Sequence, residues 1–452
     1  GSAQTILTAR YWARDGFLKH YLLFTPSGYN PNVKFLDKPE FRFLSDGIDT
    51  GGLIGKRLYY THYPSGYLIP YGLLAKAGAE SRFWFRMLAI CFSFASIFFL
   101  FGFIYLITNR NKWMALLSVF FYSTSTTFLR FADSLNNTPV DDLFKWAILF
   151  FSIYALGRED IKGRLEKLIW LLYFLLAASS YDSTFFIFFW LCALGYIVTK
   201  KINIKKYLFW ASAPVLAFIL QIAQNTWYLG WKDMILDFKG TLLFRASKTP
   251  LILDYLPPGI KNLAASFSAS GFFLDTRTMI ALPIIFFILY FFYRREIISK
   301  TIFKYIFALG IAGLIYPLLL PITGTFGYQG RQLAPALLLI FSVATYEAIL
   351  MIKNLKIKKI GILFIVAIMF LWVMHFKAAS AYVKNWPNNA IEEHKIEYWQ
   401  NLNNITNRKT IILGTEDVLE TGANLFFEEA YADRLILSFK NTDQLLSYVD
   451  KI

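Results

Sequence analysis

About ten apolar runs occupy the middle of this chain, separated by short charged or polar loops. A helix that crosses the hydrocarbon core of a bilayer needs roughly 20 mostly apolar residues. The runs predict spans over Phe85–Ile107, Trp113–Arg130, Val140–Leu156, Leu168–Ser180, Thr184–Val198, Tyr207–Ala223, Met279–Tyr293, Ile302–Leu320, Leu333–Ile352 and Ile360–Phe376. Several fall short of a full crossing, which predicts tilted or buried helices. Trp84, Trp113, Trp146, Trp170 and Trp210 lie at or near run ends, where interfacial anchors belong.

The loops alternate in charge. Arg110/Lys112, Arg158/Lys162/Arg164/Lys167, Lys200/Lys201/Lys205/Lys206, Arg294/Arg295/Lys300/Lys304 and Lys353/Lys356/Lys358/Lys359 form basic clusters. Successive clusters are separated by two runs, and between those runs lies a cation-poor loop: 131–138, 181–183, 225–275 or 322–331. Lys and Arg near span ends stay on the cytoplasmic side. The basic loops are therefore expected inside, and the others outside. Residues 1–83 precede the first span and are expected outside. A chain entering that way needs a translocation signal, so an upstream helix is expected. Within 1–83, Gln4 to Tyr21 reads as an interfacial helix. The 225–275 loop carries Trp227, Tyr228, Trp231 and an amphipathic stretch from Met234 to Phe244, then breaks at Pro257-Pro258-Gly259. It reads equally as a surface segment or as a lid.

Past Phe376 the acids multiply and the apolar runs shorten. Thr410–Leu413 and Leu435–Phe439 read as strands; Ile391–Leu402, Ala423–Tyr431 and Asp443–Val449 read as helices. The expected organisation is an outer segment 1–83, a membrane bundle 84–376 and an outer domain 377–452. The fold class is an all-α polytopic membrane bundle with a small extracytoplasmic α/β C-terminal domain. The expected location is the plasma or inner membrane.

Composition narrows the function. Hydrophobic residues make up 56% and charged residues 17% of the chain, below the roughly 25% charge of a soluble domain. The net charge of +16 sits in short runs at span ends, which argues against nucleic acid as a partner. The two cysteines, Cys91 and Cys192, lie in apolar runs and imply no disulfide framework. The four histidines include no pair at helical ligand spacing, so a His-based metal centre is not expected.

The candidate chemistry sits at the outer loop edges. Asp15, Asp133, Asp141, Asp142 and Asp182 return there, beside Thr61-His62-Tyr63-Pro64-Ser65-Gly66-Tyr67 and Tyr328-Gln329-Gly330-Arg331. Each acid alone reads as a loop residue or a helix cap, and Asp141 and Asp142 follow Pro139 where carboxylates suit the helix dipole. Their convergence is what suggests a site. Arg331 opens a span on the outer side, where the orientation bias disfavours a cation. It reads as a snorkelling anchor or as a ligand for phosphate, which its planar fork suits.

Four segments resemble the GT-C glycosyltransferases, in the branch of the protein O-mannosyltransferases and the lipid A aminoarabinose transferase. Thr8-Ala9-Arg10-Tyr11-Trp12 with Arg14-Asp15-Gly16-Phe17 resembles the family's first-loop helix. Tyr60 to Leu68 resembles its aromatic–polar–proline segment, with Ser65 in place of the second proline. The stretch from Asp133 to Asp142 stands where the second acidic loop lies. Gly330-Arg331-Gln332-Leu333-Ala334-Pro335 resembles its Arg-Tyr-x-x-Pro element. The resemblance implies an enzyme that moves a sugar from a polyprenyl-phosphate donor to a lipid, glycan or protein acceptor outside the cytoplasm. It makes Asp133 and Asp15 the candidate catalytic acids, with the family's own acid expected at or before the chain start. Arg331, His62 and Tyr63 become candidates for the donor phosphate. Asp141, Asp142, Tyr181 and Asp182 are further cavity candidates; Tyr181-Asp182 replaces a Lys-Gly of the family. No cofactor is certain, and a divalent metal remains open. The rival reading is a non-catalytic flippase for lipid-linked glycans, or a transporter.

Overall fold

The structure, a computed structural model, describes residues 2–24, 59–61, 63–181, 183–247, 278–296, 299–319, 329–353, 359–385, 411–415 and 435–439. Its helices are α1 (Ser2–Asp15), α2 (Ile69–Lys76), α3 (Arg82–Ile107), α4 (Lys112–Ser123), α5 (Thr126–Phe131), α6 (Thr138–Tyr154) and α7 (Lys162–Ser179). They continue as α8 (Thr184–Thr199), α9 (Ile204–Leu229), α10 (Trp231–Ser247), α11 (Thr278–Arg295), α12 (Lys300–Leu319), α13 (Ala334–Lys353) and α14 (Lys359–Asn385). Every apolar run carries a helix. The run from Trp113 to Arg130 is interrupted, because Ser125 turns its hydroxyl to the backbone N–H of Phe128 at 3.2 Å and caps a new helix.

This is a membrane protein. Arg82–Ile107, Ile204–Leu229, Arg331–Lys353 and Gly361–Lys384 are each long and apolar enough to cross a bilayer. The faces of α3 show the membrane logic. Its inward side carries Ala89, Ser93, Ser96 and Leu100, all buried, while Phe94 and Phe98 are 58% and 75% exposed. Small residues inside let helices approach closely, and large apolar ones meet lipid. Gly102 of α3 gives way to the ring of Phe150 on α6. Helix α13 is the central strut: Ala334 to Ala344 are buried without interruption.

The N-terminal segment is built into this bundle. Helix α1 matches the helix expected near Gln4–Tyr21, but it packs more deeply than its amphipathic pattern predicts. Leu7, Ala9 and Trp12 are fully buried, as are Thr5 and Thr8. Trp12 packs with Tyr71 of α2 and Phe85 of α3 in one apolar cluster. The turn Gly66–Leu68 lies against the end of α7 so closely that a Cβ on Gly66 would run into the carbonyl of Ala178. The amphipathic stretch expected from Met234 to Phe244 falls within α10; it buries Met234 and Asp237 and leaves Ile235, Leu236 and Phe238 more than 40% exposed. The Pro257-Pro258-Gly259 break lies outside the described residues.

Near the C-terminus, β1 (Ile411–Thr415) and β2 (Leu435–Phe439) pair in parallel, with Ile411 opposite Leu435 and Thr415 opposite Phe439. A parallel pair needs a crossover of a dozen or more residues, and the chain between the two strands, 416–434, is long enough for one. The three helices expected there lie outside the described residues.

Candidate functional site

The polar centre is built at the N-terminal end of α6. Pro139 stands in its first turn, and the side chain of Asn136 accepts the N–H of Thr138 at 3.0 Å. That start places Asp141, Asp142 and Lys145 within the first turns, all buried among apolar helices. Adjacent residues on a helix point about 100° apart, so the two acids serve different neighbours.

Asp141 faces α8 and α13. Its Oδ2 accepts Nη2 of Arg331 at 2.8 Å, and both side chains are at most 1% exposed. The same oxygen accepts the hydroxyl of Ser183, the N-cap residue of α8, at 2.5 Å. Ser183 also meets the side-chain amide of Gln332 at 3.0 Å. Its single proton goes to the carboxylate, so the Gln332 amide is best oriented with its NH2 donating to Ser183. Arg331 and Gln332 lie in a tight 3-10 turn, Gln329–Leu333, that leads into α13. The turn has room because α12 carries Gly313 beneath it: a Cβ there would stand 2.7 Å from the Gln332 carbonyl oxygen. Gly313→Ala is expected to push the turn away and to destabilise the protein by roughly 1–3 kcal/mol, as overpacking does. Thermal unfolding in detergent measures the loss; no change would mean that α12 shifts freely under the turn.

Asp142 faces inward to α4. Its Oδ1 holds the Nζ of Lys145 at 2.6 Å, and its Oδ2 accepts the Tyr122 hydroxyl at 2.9 Å. The Lys145 side chain is 1% exposed. An ionisable pair inside a span is rare and marks function more often than structure.

Above Asp141, one helical turn closer to the loops, a hydroxyl–amide net closes the end of the bundle. Asn137 donates to the Tyr63 hydroxyl at 2.7 Å and to Ser180 Oγ at 3.0 Å. Tyr63 and Ser180 are themselves 2.9 Å apart. The ring of Tyr63 meets that of Tyr181 edge to face, and the Tyr181 hydroxyl donates to the Gln221 side chain of α9. Gln221 and Asn225 both donate to the Thr61 carbonyl, and the Thr61 hydroxyl donates to Asp237 of α10 at 2.7 Å. The segment carrying Tyr63 is thus tied to α6, α7, α9 and α10.

The other candidate acids lie elsewhere. Asp133 is 26% exposed and pairs with Arg86 at 3.3 Å. Its loop touches α1, where the Thr5 hydroxyl donates to the Leu135 carbonyl at 2.6 Å. Asp15 lies at the far end of α1, about 15 Å from Thr5 by the helical rise. It holds Nε2 of His20 at 3.2 Å, while Nδ1 of His20 meets the Tyr59 hydroxyl at 2.9 Å. The structure therefore brings Asp141, Arg331, Tyr63 and Tyr181 toward one end of the bundle, and it places Asp15 with His20 and Tyr59, away from the loop of Asp133. His62 and Asp182 lie outside the described residues. Lys145, Ser183, Gln332, Asn137 and Asp237 join the centre without having been singled out in the sequence. Among the described residues, no three His, Cys, Asp or Glu side chains gather closely enough to hold a metal ion.

Burial lowers the pKa of His20 below its ordinary 6.5, against the opposing pull of Asp15. The unfolded chain then binds a proton more readily than the folded one, so the neutral imidazole favours folding above about pH 6.5. That contribution is lost as the pH falls through the lowered value. The melting temperature is expected to drop below pH 6.5, and His20→Gln is expected to flatten the drop. An unchanged pH profile in the variant would show that His20 does not contribute.

No family model matches the chain, and neither does any curated protein. Solved structures do. The apo form of the Archaeoglobus fulgidus oligosaccharyltransferase superposes on 98% of this chain and 61% of its own, with a TM-score of 0.51 at 11% identity. The GT-C-like fold expected from the sequence is the observed one. The archaeal oligosaccharyltransferase AglB from the same organism, in complex with an inhibitory peptide and a dolichol-phosphate, gives a TM-score of 0.49 at 11% identity, over 97% of this chain and 60% of that one. The form tethered to an acceptor peptide containing an NVT sequon gives 0.48 at 12%, over 96% and 64%. This chain spans less than two thirds of that enzyme's length. At such identity the likeness is one of GT-C-like architecture alone, and the roles of residues rest on the geometry above.

Proposed function

We propose that this chain is a membrane glycosyltransferase that takes a sugar from a polyprenyl-phosphate donor and transfers it to a lipid, glycan or protein acceptor on the extracytoplasmic face. The observation that carries the reading is the buried Asp141–Arg331 pair, with Ser183 and Gln332, beneath the Tyr63–Asn137–Ser180 net. The GT-C-like fold supports it. As the sugar leaves, negative charge grows on the lipid phosphate, and a preorganised cation with hydroxyl and amide donors stabilises it. Arg331 supplies the fork, Lys145 a second cation below it, and Tyr63 and Tyr181 aromatic bodies with polar tips. A carboxylate takes the acceptor proton; Asp133, partly exposed in the loop against α1 and paired with Arg86, is the first candidate, with Asp15 as the second. The finer placement among protein O-mannosyltransferase-like and aminoarabinose-transferase-like enzymes rests on the segment around Thr8–Phe17 and on Gly330–Pro335.

The buried Asp142–Lys145 pair also suits a lipid-linked glycan flippase, since ion pairs within spans line transport paths. Reconstitution in liposomes with radiolabelled polyprenyl-phosphate sugars separates the two readings. Release of free polyprenyl phosphate, dependent on acceptor, is the expected result. Tyr63→Phe removes the hydroxyl that links Asn137 and Ser180, and is expected to raise the KM for donor five- to tenfold, or about 1 kcal/mol. Movement of the intact donor between leaflets with no cleavage of any sugar tested would replace the transferase reading with the flippase.

A further inference from the structure

A cavity of about 100 Å³ opens at the other end of the bundle, where α6 ends, α7 begins, α8 ends and α9 begins. Ser152 of its lining lies about 16 Å along α6 from Asp141. It is separate from the candidate functional site. Its inner wall is apolar, with Leu156, Ile169, Leu191, Leu194 and Trp210. Its rim is charged, with Lys162, Glu166 and Lys206. An apolar cavity of about 150 Å³ takes benzene, so this one takes a short stretch of hydrocarbon and no sugar.

The rim is basic in excess. Lys206 reaches Glu166 at 2.6 Å, and Lys162 reaches Glu159 at 2.6 Å. All four side chains are about a third or more exposed, and exposed pairs of this kind contribute little. Lys200 follows the lining residue Thr199, Lys201 lies in the same connection, and Lys205 lies in the first turn of α9. The Lys200 ammonium is pulled below its ordinary pKa, by desolvation and then by the Lys304 ammonium beside it. Lys200 Nζ donates to the Ile197 carbonyl of α8 at 2.7 Å, which keeps the ammonium at the end of α8 beside the mouth. Around the mouth, Ile202, Ile204 and Leu208 are more than 60% exposed, as residues that meet lipid are. Charge at the rim, hydrocarbon-sized space inside and a lipid-facing surround occur together at the ends of spans.

We propose that this cavity receives a short stretch of one acyl chain of an anionic phospholipid from the leaflet beside the basic loops, with its phosphate held by Lys162 and Lys206 and drawn by Lys200 at the edge of the mouth. A phosphate in that position exchanges weak internal ion pairs for charge-assisted bonds, and each lysine near a membrane surface adds to the attraction for anionic lipid. Gly195 lines the space, and a Cβ there meets nothing nearer than Tyr207 at 3.5 Å. A larger residue at 195 therefore adds apolar atoms to the cavity beside Tyr207 and leaves every lysine in the sequence.

Delipidated full-length protein in detergent, titrated with phosphatidylglycerol or phosphatidylcholine and weighed by native mass spectrometry, tests the proposal. One phosphatidylglycerol is expected to bind in clear preference to phosphatidylcholine. Lys200→Gln with Lys206→Gln is expected to weaken it roughly thirtyfold. Lys200→Arg with Lys206→Arg keeps the charges and is expected to bind as the wild type does. Gly195→Leu, with every lysine present, is expected to abolish the preference for phosphatidylglycerol. The proposal is overturned if the Gln pair and Gly195→Leu both bind phosphatidylglycerol as the wild type does, or if the Arg pair binds as weakly as the Gln pair. It is also overturned if millimolar inorganic phosphate displaces the lipid completely, which would make the site one for free phosphate.

Discussion

Arg331→Met is expected to lose roughly 3–5 kcal/mol of stability and to lower donor cleavage about a hundredfold or more. The two losses have different origins. The first arises because Asp141 is fully buried and Arg331 nearly so, at 2.8 Å. Removing one partner leaves a buried carboxylate with less compensation, and that is the large term in such variants. The second follows from the proposed role of the guanidinium as the cation that receives the leaving phosphate. Asp141→Asn combined with Arg331→Met separates them. Asparagine is neutral and still accepts the Ser183 hydroxyl, so the double variant is expected to recover most of the lost stability. Its rate of donor cleavage is expected to stay about a hundredfold low, because neither residue carries the positive charge. Arg331→Lys is expected to fall between, since a point charge cannot reproduce the two-pronged contact. Thermal unfolding and release of polyprenyl phosphate, measured on the same preparations, give both numbers. Should the double variant recover its rate along with its stability, Arg331 serves the fold alone.

The helices were legible because membrane spans write themselves in composition, and short loops leave little room for error. The break between α4 and α5 was legible too, in hindsight, in the Ser-Thr run 123–127, where Ser125 competes for backbone N–H groups. Arg331 stood out because a cation on the cation-poor side runs against the orientation bias. What pairs with it was not legible. Asp141 lies 190 positions away, and the sequence offers Asp133, Asp141, Asp142 and Asp182 on equal terms. Only the packing of α13 against α4 and the turn over Gly313 choose among them. Ser183 and Gln332 gave no signal, since a hydroxyl and an amide are common in any loop. Lys145 did give one. A single lysine inside an otherwise apolar run, three and four positions after two acids, is unusual enough to mark. Averaging over the whole run from Val140 to Leu156 hides it. The depth of α1 was hidden for another reason. Thr5 and Thr8 look like surface residues, yet both are fully buried, and Thr5 bonds to the Leu135 carbonyl.

Lys145→Met is expected to rank next in effect, again at about 3–5 kcal/mol of stability, because it strips Asp142 of the ammonium at 2.6 Å. Tyr122 at 2.9 Å is a weaker substitute. The informative variant is Lys145→Met with Asp142→Leu, which removes both charges and keeps the volume apolar. Replacing a buried ion pair by hydrophobic residues of similar size is often neutral, or stabilising by about 1–4 kcal/mol. The double variant is therefore expected to melt at or above the wild-type temperature. If the pair exists for packing, that variant also keeps its activity. The geometry argues otherwise. Asp141 and Lys145 are four positions apart on α6, so the Asp142–Lys145 pair lies about one turn from the Asp141–Arg331 pair and shapes the local field where the proposed phosphate would meet the guanidinium. Donor cleavage in the double variant is expected to fall at least tenfold, about 1.4 kcal/mol in the transition state, with KM little changed. A stable double variant with the full rate would show that the pair plays no part in the chemistry and would leave the centre to Asp141, Arg331, Ser183 and Gln332.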